Sequence, residues 1–448
     1  MCLSLQQRQP DSSRERTSSS LVQYLRTPKS KMAPIYALDD EMVAQLLSFA
    51  APRDVESFTC ASKFTARTVL PRFPVWKALF CHRWETLNFR LPGARSGSVP
   101  LVISEQTRKL FPSDTSESRM YQLLAHAITP LPAYADIQQT RHYRGSLALE
   151  QNVAPLHAQP VKPSEVVDFG FDGDILGDDR CVRSNVAFPT SFHVAVFKRQ
   201  NQQTKKFEYH VGVVSSGYFE ISITKRIKPS ARRVHGEDVT SIGLVTSRFP
   251  LVDRQPGWDF RSYGYHGDDG QMFHSNRGRQ FGPAFGINDT IGCGVRRNMR
   301  DGRSFVMFTN NGEIIQNDNS NIECVHEQWY PAVGLDSSDA IHINFGQEPF
   351  AYDCVVDEML EECVDNVDIV QRQLQWYTIH DSDGESASDT SSTSGNSPGS
   401  VNANLVDESD GYDEYGLVED YDGTEWRYAT SDANSDTEMW WSEGEWSD

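Results

Sequence analysis

The stretch PGWDFRSYGYHGDDGQMFHSNRG, residues 256–278, decides how this chain folds. Within it, Tyr263 to Gly270 (YGYHGDDG) reads as a tightly turned strand ending. Its glycines supply the positive φ that such a turn needs, and Asp268 and Asp269 can hydrogen-bond their own backbone. Trp258, following Gly257, is expected to close one end of a sandwich core. The same pattern continues on both sides. Tyr218–Thr224 (YFEISIT) sets Phe219, Ile221 and Ile223 on one face and charges or hydroxyls on the other, which is the period of a half-buried strand. Ile341–Phe345 repeats it, and Phe305–Thr309 runs into Asn310-Asn311-Gly312, a hairpin signal. Asp289 is a turn residue leading into a buried strand at Ile291-Gly292. Many short strands with turn residues between them, and hardly any helix signal, imply an antiparallel β-sandwich.

Five blocks carry a family resemblance in this region, Gly217 to Asp353. They are residues 256–278 above, FGPAFGINDTIGCGV (281–295), FTNNGEII (308–315), WYPAVGL (329–335) and INFGQEPFAYD (343–353). In that order and spacing they resemble a SPRY domain, and are similar in particular to the SPRY domain of Ran-binding protein M. The resemblance implies a ligand held on the loops at one end of the sandwich. Carried onto this sequence, it assigns target binding to Arg248, Asp253, Arg254 and Gln255 in RFPLVDRQ, and to Asp336, Ser337 and Ser338. Arg296–Asp301 is a third loop of this kind. Arginine suits such a role because its planar fork meets carboxylates and carbonyls with defined geometry.

Upstream, Asp39 reads as the N-cap of a helix carrying Met42, Val43, Leu46 and Leu47. Ala50-Ala51-Pro52 stops it, and Asp54 is expected to cap a second helix with Val55, Phe58 and Ala61. A third apolar group runs from Val69 through Trp76 and Phe80 to Trp84. Residues 35–84 resemble an F-box through Leu38, Leu46-Leu47, Asp54-Val55, Ser62-Lys63-Phe64 and Trp76, although Leu38-Asp39 stands where Leu-Pro is usual. That resemblance implies docking on a Skp-type adaptor and cullin scaffold through Leu38, Met42, Val43, Leu46, Leu47, Val55 and Phe58. Leu46 and Leu47 are expected to face solvent. An F-box before a SPRY domain implies the substrate-recognition subunit of a Skp–cullin–F-box ubiquitin ligase. The alternative is a scaffold that organises a multiprotein complex in the manner of Ran-binding protein M.

The expected architecture is α+β and multidomain. It comprises a polar arm (1–33), an F-box-like helical bundle (34–84), a helical extension and Pro-rich linker (85–164), the sandwich (165–356), an amphipathic helix (357–377) and a disordered acidic tail (378–448). The charge is unevenly placed. The 448 residues carry −20, and the part from Asp381 onward holds 19 acids against one arginine, so residues 1–380 are close to neutral. Without a basic patch, nucleic-acid binding is not expected, and no apolar run is long enough to span a membrane. Eight cysteines without a C-x-x-C spacing suit reduced thiols in the cytoplasm or nucleus. No P-loop, H-E-x-x-H or dinucleotide fingerprint occurs, so neither enzyme chemistry nor a metal or cofactor is expected. The G-x-S-x-G match at Gly395–Gly399 falls in a Ser-rich run that cannot build a nucleophile elbow. Ser382, Ser386, Ser435 and Ser442, each followed three residues later by an acid, resemble acidophilic-kinase sites.

Overall fold

Asp39 opens the first helix in the computed structural model, which describes residues 38–137, 146–149, 166–172, 175–176, 179–225, 232–233, 239–316, 322–324, 328–337 and 339–374. Its side chain accepts the Met42 amide at 2.7 Å. The expected arm, the linker 153–164, the tail and its four serines lie outside the described residues. The described chain opens with α1 (Asp40–Ser48), α2 (Pro52–Ala61), α3 (Val75–Leu87), β1 (Leu101–Ile103), α4 (Glu105–Arg108) and α5 (Glu117–His126). The second helix is capped by Ala51 rather than Asp54. Pro52 occupies its first turn, where a proline's fixed φ fits and its missing N–H is not needed.

Strands follow: β2 (Ala135–Asp136), β3 (Ser146–Leu149), β4 (Asp168–Asp172), β5 (Ile175–Leu176), β6 (Arg180–Ser184), β7 (His193–Gln200), β8 (Phe207–Val214), β9 (Gly217–Thr224) and β10 (Arg232–Arg233). Then come β11 (Val239–Val245), β12 (Ser262–His266), β13 (Gln271–His274), β14 (Arg277–Gln280), β15 (Thr290–Arg297), β16 (Ser304–Asn310), β17 (Glu313–Ile314), β18 (Ile322–Cys324), β19 (Tyr330–Asp336) and β20 (Ala340–Asn344). Helices α6 (Cys354–Asp365) and α7 (Val367–Leu374) close the described chain.

Among the described residues the sandwich has a seven-stranded sheet, ordered β14-β13-β12-β11-β19-β6-β2, and an eight-stranded one, β17-β16-β15-β9-β20-β4-β3 with β18 beside β16. Pairing within both is antiparallel. Phe219, Ile221 and Ile223 meet Ile242, Leu244, Tyr265 and Val333 in one core between the sheets, as the alternation requires. The opposite face of β9, which the sequence had set toward solvent, is covered along its first half, with Ser222 half-buried and Thr224 exposed. Tyr218 and Glu220 are buried too, because a further layer covers the eight-stranded sheet.

That layer corrects the expected segment boundaries. β7 and β8 leave the sandwich and form a separate three-stranded sheet with β1, which pairs parallel to β8 from Leu101↔Tyr209 to Ile103↔Val211. Helices α1, α3 and α5, this sheet and α6 share one hydrophobic core: Val43, Trp84, Leu124, Val211, Val213, Val356 and Leu360 all belong to it. Residues 85–164 therefore contain strands that complete two different layers, β1 in this one and β2 and β3 in the sandwich sheets. The predicted helix 357–377 starts three residues earlier and breaks at Asn366, whose side chain bonds the Glu362 carbonyl at 2.7 Å. Its apolar stripe packs back onto this core through Val355, Val356, Met359, Leu360 and Cys363.

Two polar devices fasten the layer. The Arg199 guanidinium on β7 grips both Asp353 and Asp357, at 3.0 and 2.7 Å, fixing the start of α6. Buried Glu220 accepts the amides of Ala351 and Tyr352 at 2.8 and 2.9 Å and the Tyr218 hydroxyl at 2.9 Å. Burial raises its carboxyl above the usual range, and these three donors oppose the rise.

At the start of β7, burial pushes the His193 imidazole down to about 4. The unfolded chain takes up this proton near its ordinary value, about 6.5. Between those values the unfolded state binds more protons, so stability falls as pH falls. The expected loss from this residue between pH 7 and pH 4 is about 3 kcal/mol, at roughly 1.36 kcal/mol per unit. Denaturant titrations of the wild type and His193→Asn at both pH values check this: the wild type should lose about 3 kcal/mol more between pH 7 and pH 4 than the variant does.

Candidate functional site

The end of the sandwich away from the Arg296–Asp301 loop, here termed the free end, gathers the turns at 267–270, 281–289 and 310–312. At the free end, main-chain hydrogen bonds tie these three loops to one another and to the strand ends. The Gly267 amide bonds Thr240, Phe285 bonds Gly267, Ile223 bonds Asp289, and Asn311 bonds Thr290. Asp289 is a turn builder, as its position implied: its carboxylate takes the Gly286 amide and the Asn311 side chain, both at 2.8 Å. Asn311 itself sits at φ 49°, in the hairpin that Asn-Asn-Gly announced. Asp268, Asp269, Pro283 and Ala284 are exposed on this end, together with Ile287 at 42%. Exposed apolar side chains on the same end as exposed carboxylates make a surface that can seat a peptide.

The loop assigned from Arg248 to Gln255 does not hang off the end. It is a strap laid along the outer face of the seven-stranded sheet. Phe249 is buried against Val245, Cys181 and Ala332, and the Cys181 amide bonds the Leu251 carbonyl at 2.9 Å. Gln255 is wholly buried. Its amide oxygen takes the Ser241 hydroxyl at 2.6 Å, and its nitrogen donates to Asp179 at 2.9 Å. Two glycines make room for the strap. A side chain at Gly334 would strike Gln255, and one at Gly264 would strike the Pro256 backbone. This close approach also corrects the reading of Trp258. The ring lies over His266, centroids 6.1 Å apart, outside the sandwich. Trp329 is the tryptophan that enters the core, edge-on to Tyr263 at 5.4 Å.

The assigned target-binding residues therefore separate. Asp253 and Arg254 are exposed, and the Asp253 amide bonds Asp179 at 2.8 Å, near the free end. Arg248 is exposed but follows Val245, at the far end of β11 from Val239 and Asp336. The separation is roughly 20 Å at a strand's rise per residue. Asp336 and Ser337 are buried at the end of β19, the Ser337 hydroxyl accepting the Asp339 amide at 3.1 Å, so they shape the loop from beneath. Ser338 lies outside the described residues. The third loop faces the helical layer and is engaged there. Arg296 pairs with Glu358, Arg300 bonds Asn366 at 2.5 Å, and Arg297 is buried with its Nε on the Pro189 carbonyl at 3.2 Å.

His266 is buried and hydrogen-bonded through Nε2 to the Pro256 carbonyl at 2.9 Å, while Asp269 accepts the Gln271 amide at 2.8 Å. Among the described residues no group of three or more His, Cys, Asp or Glu is placed to hold a metal ion, and no helix is long and apolar enough to cross a membrane.

The residues assigned to adaptor docking also divide. Val43, Leu47 and Val55 are core, and Leu38 and Phe58 pack partly against it. Leu47 is thus a correction: it faces inward because position 43, one turn earlier, does. Met42 and Leu46 are exposed, at 47 and 54%. Phe49, missed in the sequence, joins them at 52%. The spacing 42, 46, 49 puts the three on one helical stripe, which the pattern could have revealed.

Comparison with known proteins matches residues 217–348 to the SPRY domain family, and this segment is a SPRY domain. The Ran-binding proteins 9/10 homolog of Drosophila melanogaster is 38% identical over 146 residues, 32% of this chain and 14% of that one. Ran-binding protein 9 of Xenopus laevis is 33% identical over 180 residues, 36% of this chain and 29% of that one. The Ran-binding protein M homolog of Arabidopsis thaliana is 34% identical over 115 residues, 25% of this chain and 23% of that one. The chain thus spans less than a third of the length of these relatives. A solved human SPRY domain is matched at 24% identity and TM-score 0.27, over 40% of this chain and 91% of that one.

Proposed function

We propose that this chain is a protein-interaction scaffold of the cytosol or nucleus, holding a protein partner on the free end of its SPRY domain and performing no chemistry itself. The convergence of exposed Arg254, Asp268, Asp269 and Ile287 on that end carries the reading, and the likeness of the SPRY segment to the Ran-binding proteins supports it. A second reading, a receptor subunit of a Skp–cullin ubiquitin ligase, is favoured by one observation, the exposed stripe Met42, Leu46 and Phe49. Three apolar side chains on one stripe, each about half exposed, suit a partner surface.

One experiment separates the two: purification of the tagged protein from cells as wild type, as Asp268→Lys with Asp269→Lys, and as Met42→Asp with Leu46→Asp. The scaffold reading expects partners that survive the helix substitutions and disappear with the loop substitutions. The ligase reading requires a Skp-type adaptor and a cullin with the wild type, both lost from the helix variant. A partner set untouched by the loop substitutions would overturn the assignment to the free end.

A further inference from the structure

Phe260 is the most exposed large apolar side chain among the described residues, at 68%. It lies in the turn leading into β12, at the end of the seven-stranded sheet away from Val239 and Asp336 and so away from the free end. Hydrogen bonds gather two further turns around it. The Thr246 amide bonds the Arg261 carbonyl, and the Asn276 amide bonds the Gly257 carbonyl, both at 3.0 Å. His274 Nδ1 bonds the Ser262 carbonyl at 2.9 Å. The turns at 246–248, 257–262 and 274–277 therefore lie side by side. The Arg261 guanidinium braces the Phe260 ring, 4.9 Å from its centroid.

Arginines outnumber carboxylates on this surface. Arg261 donates to both oxygens of Asp259, at 2.8 and 2.9 Å, and holds that carboxyl below the usual carboxylate range. Asp136 stands opposite Arg183. Arg183 in turn donates to the Thr246 and Ser247 carbonyls at 3.2 and 2.7 Å, fixing the turn that carries Arg248. That leaves Arg248 and Arg277. Both are exposed, and among the described residues neither forms an ion pair. An exposed aromatic ring between two uncommitted guanidinium groups has the composition of an interface centre, where aromatic residues and arginine are enriched.

We propose that this surface binds an extended acidic segment of a partner protein, with carboxylates on Arg248 and Arg277 and an aromatic side chain between them on Phe260. The sheet sets the spacing. Arg277 on β14 and the turn after β11 are three strands apart, about 14 Å at the usual distance between strands. An extended chain covers that length in about four residues, and residues two apart share one of its faces. The segment that fits therefore carries two acids four residues apart with an aromatic midway. Guanidinium forks suit it, because each can meet a carboxylate with two parallel N–H donors. The site does not rest on the assignment of the free-end loops.

The probe is an acetylated pentapeptide amide of glutamate, serine, 4-fluorophenylalanine, serine and glutamate, in that order. Its counterpart has glutamine in place of both glutamates. Each is titrated with the full chain and followed by ¹⁹F NMR of the peptide. Wild type should bind the acidic peptide saturably and the glutamine peptide about tenfold more weakly, the ratio for two exposed charge pairs. Arg248→Gln with Arg277→Gln should remove that preference. Phe260→Ala should weaken the acidic peptide about fivefold, as for a lost aromatic pair. Arg53→Gln with Arg67→Gln, two exposed arginines of the N-terminal helical region, should leave binding unchanged. Circular dichroism verifies that each variant is folded. No saturable binding by wild type, equal binding of the two peptides, or a folded Arg248→Gln, Arg277→Gln protein that keeps the preference would overturn the proposal. So would a Phe260→Ala protein that binds as wild type does, or an equal loss in the Arg53→Gln, Arg67→Gln control.

Discussion

Replacing Trp84 with alanine is expected to cost about 3–5 kcal/mol, the range for truncating a fully buried tryptophan. The indole has no exposed surface. It stacks on Phe80 at 6.5 Å between centroids and meets Phe89 edge-on at 5.4 Å. More informative than the size of the loss is its reach. The same core takes in β7, β8 and α6, so the N-terminal helices have no independent interior to fall back on. Denaturation followed by far-UV circular dichroism and by tryptophan fluorescence should give coincident, shifted transitions in the variant. Two separated transitions, with the sandwich melting where the wild type does, would show that the helices are an autonomous bundle.

Gly264→Val is the second large expected effect. Any side chain at this position on β12 collides with the Pro256 backbone in the strap. A main-chain neighbour cannot rotate away as the tip of a flexible side chain can, so either the strap lifts or the strand moves. The expected cost is about 3 kcal/mol, the upper part of the range for overpacking. Gly286→Ala is the matched control, since its added carbon would meet nothing within 4 Å. It should change stability by less than about 0.5 kcal/mol. Urea midpoints of the two variants against wild type provide the comparison. A Gly264→Val protein as stable as wild type would contradict the packed strap.

Part of this architecture is legible in the sequence itself. Phe219, Ile221 and Ile223 alternate because a sheet has two faces, and that rule alone places them in the sandwich core. The Asn-Asn-Gly hairpin and the Asp289 turn were legible for a similar reason, since their chemistry is local. β1 was not. Three residues, Leu101–Ile103, carry no period, and their pairing with Tyr209–Val211 spans more than a hundred positions. Tyr218 and Glu220 read as a solvent face because nothing in their own strand announces that α6 and β7 will cover them. Gln255 misled in the same way. A glutamine in a polar, Pro-flanked run reads as surface, and only the bare backbone at Gly334 explains its burial. Among the candidate residues, Asp253 and Arg254 were assigned by family likeness, whereas Ile287 needed the fold to show it exposed. On α1, inward Leu47 and outward Leu46 are neighbours in sequence, and helical phase relative to Val43 and Phe49 separates them.

The claim that partner recognition sits on the free end of the SPRY domain is tested most directly by hydrogen–deuterium exchange on the purified chain with and without a captured partner. Binding at that end predicts slowed exchange in the loops at 253–255, 267–271 and 283–289, with α1 unchanged. Slowed exchange confined to residues 40–49, leaving those loops as in the free protein, would contradict it.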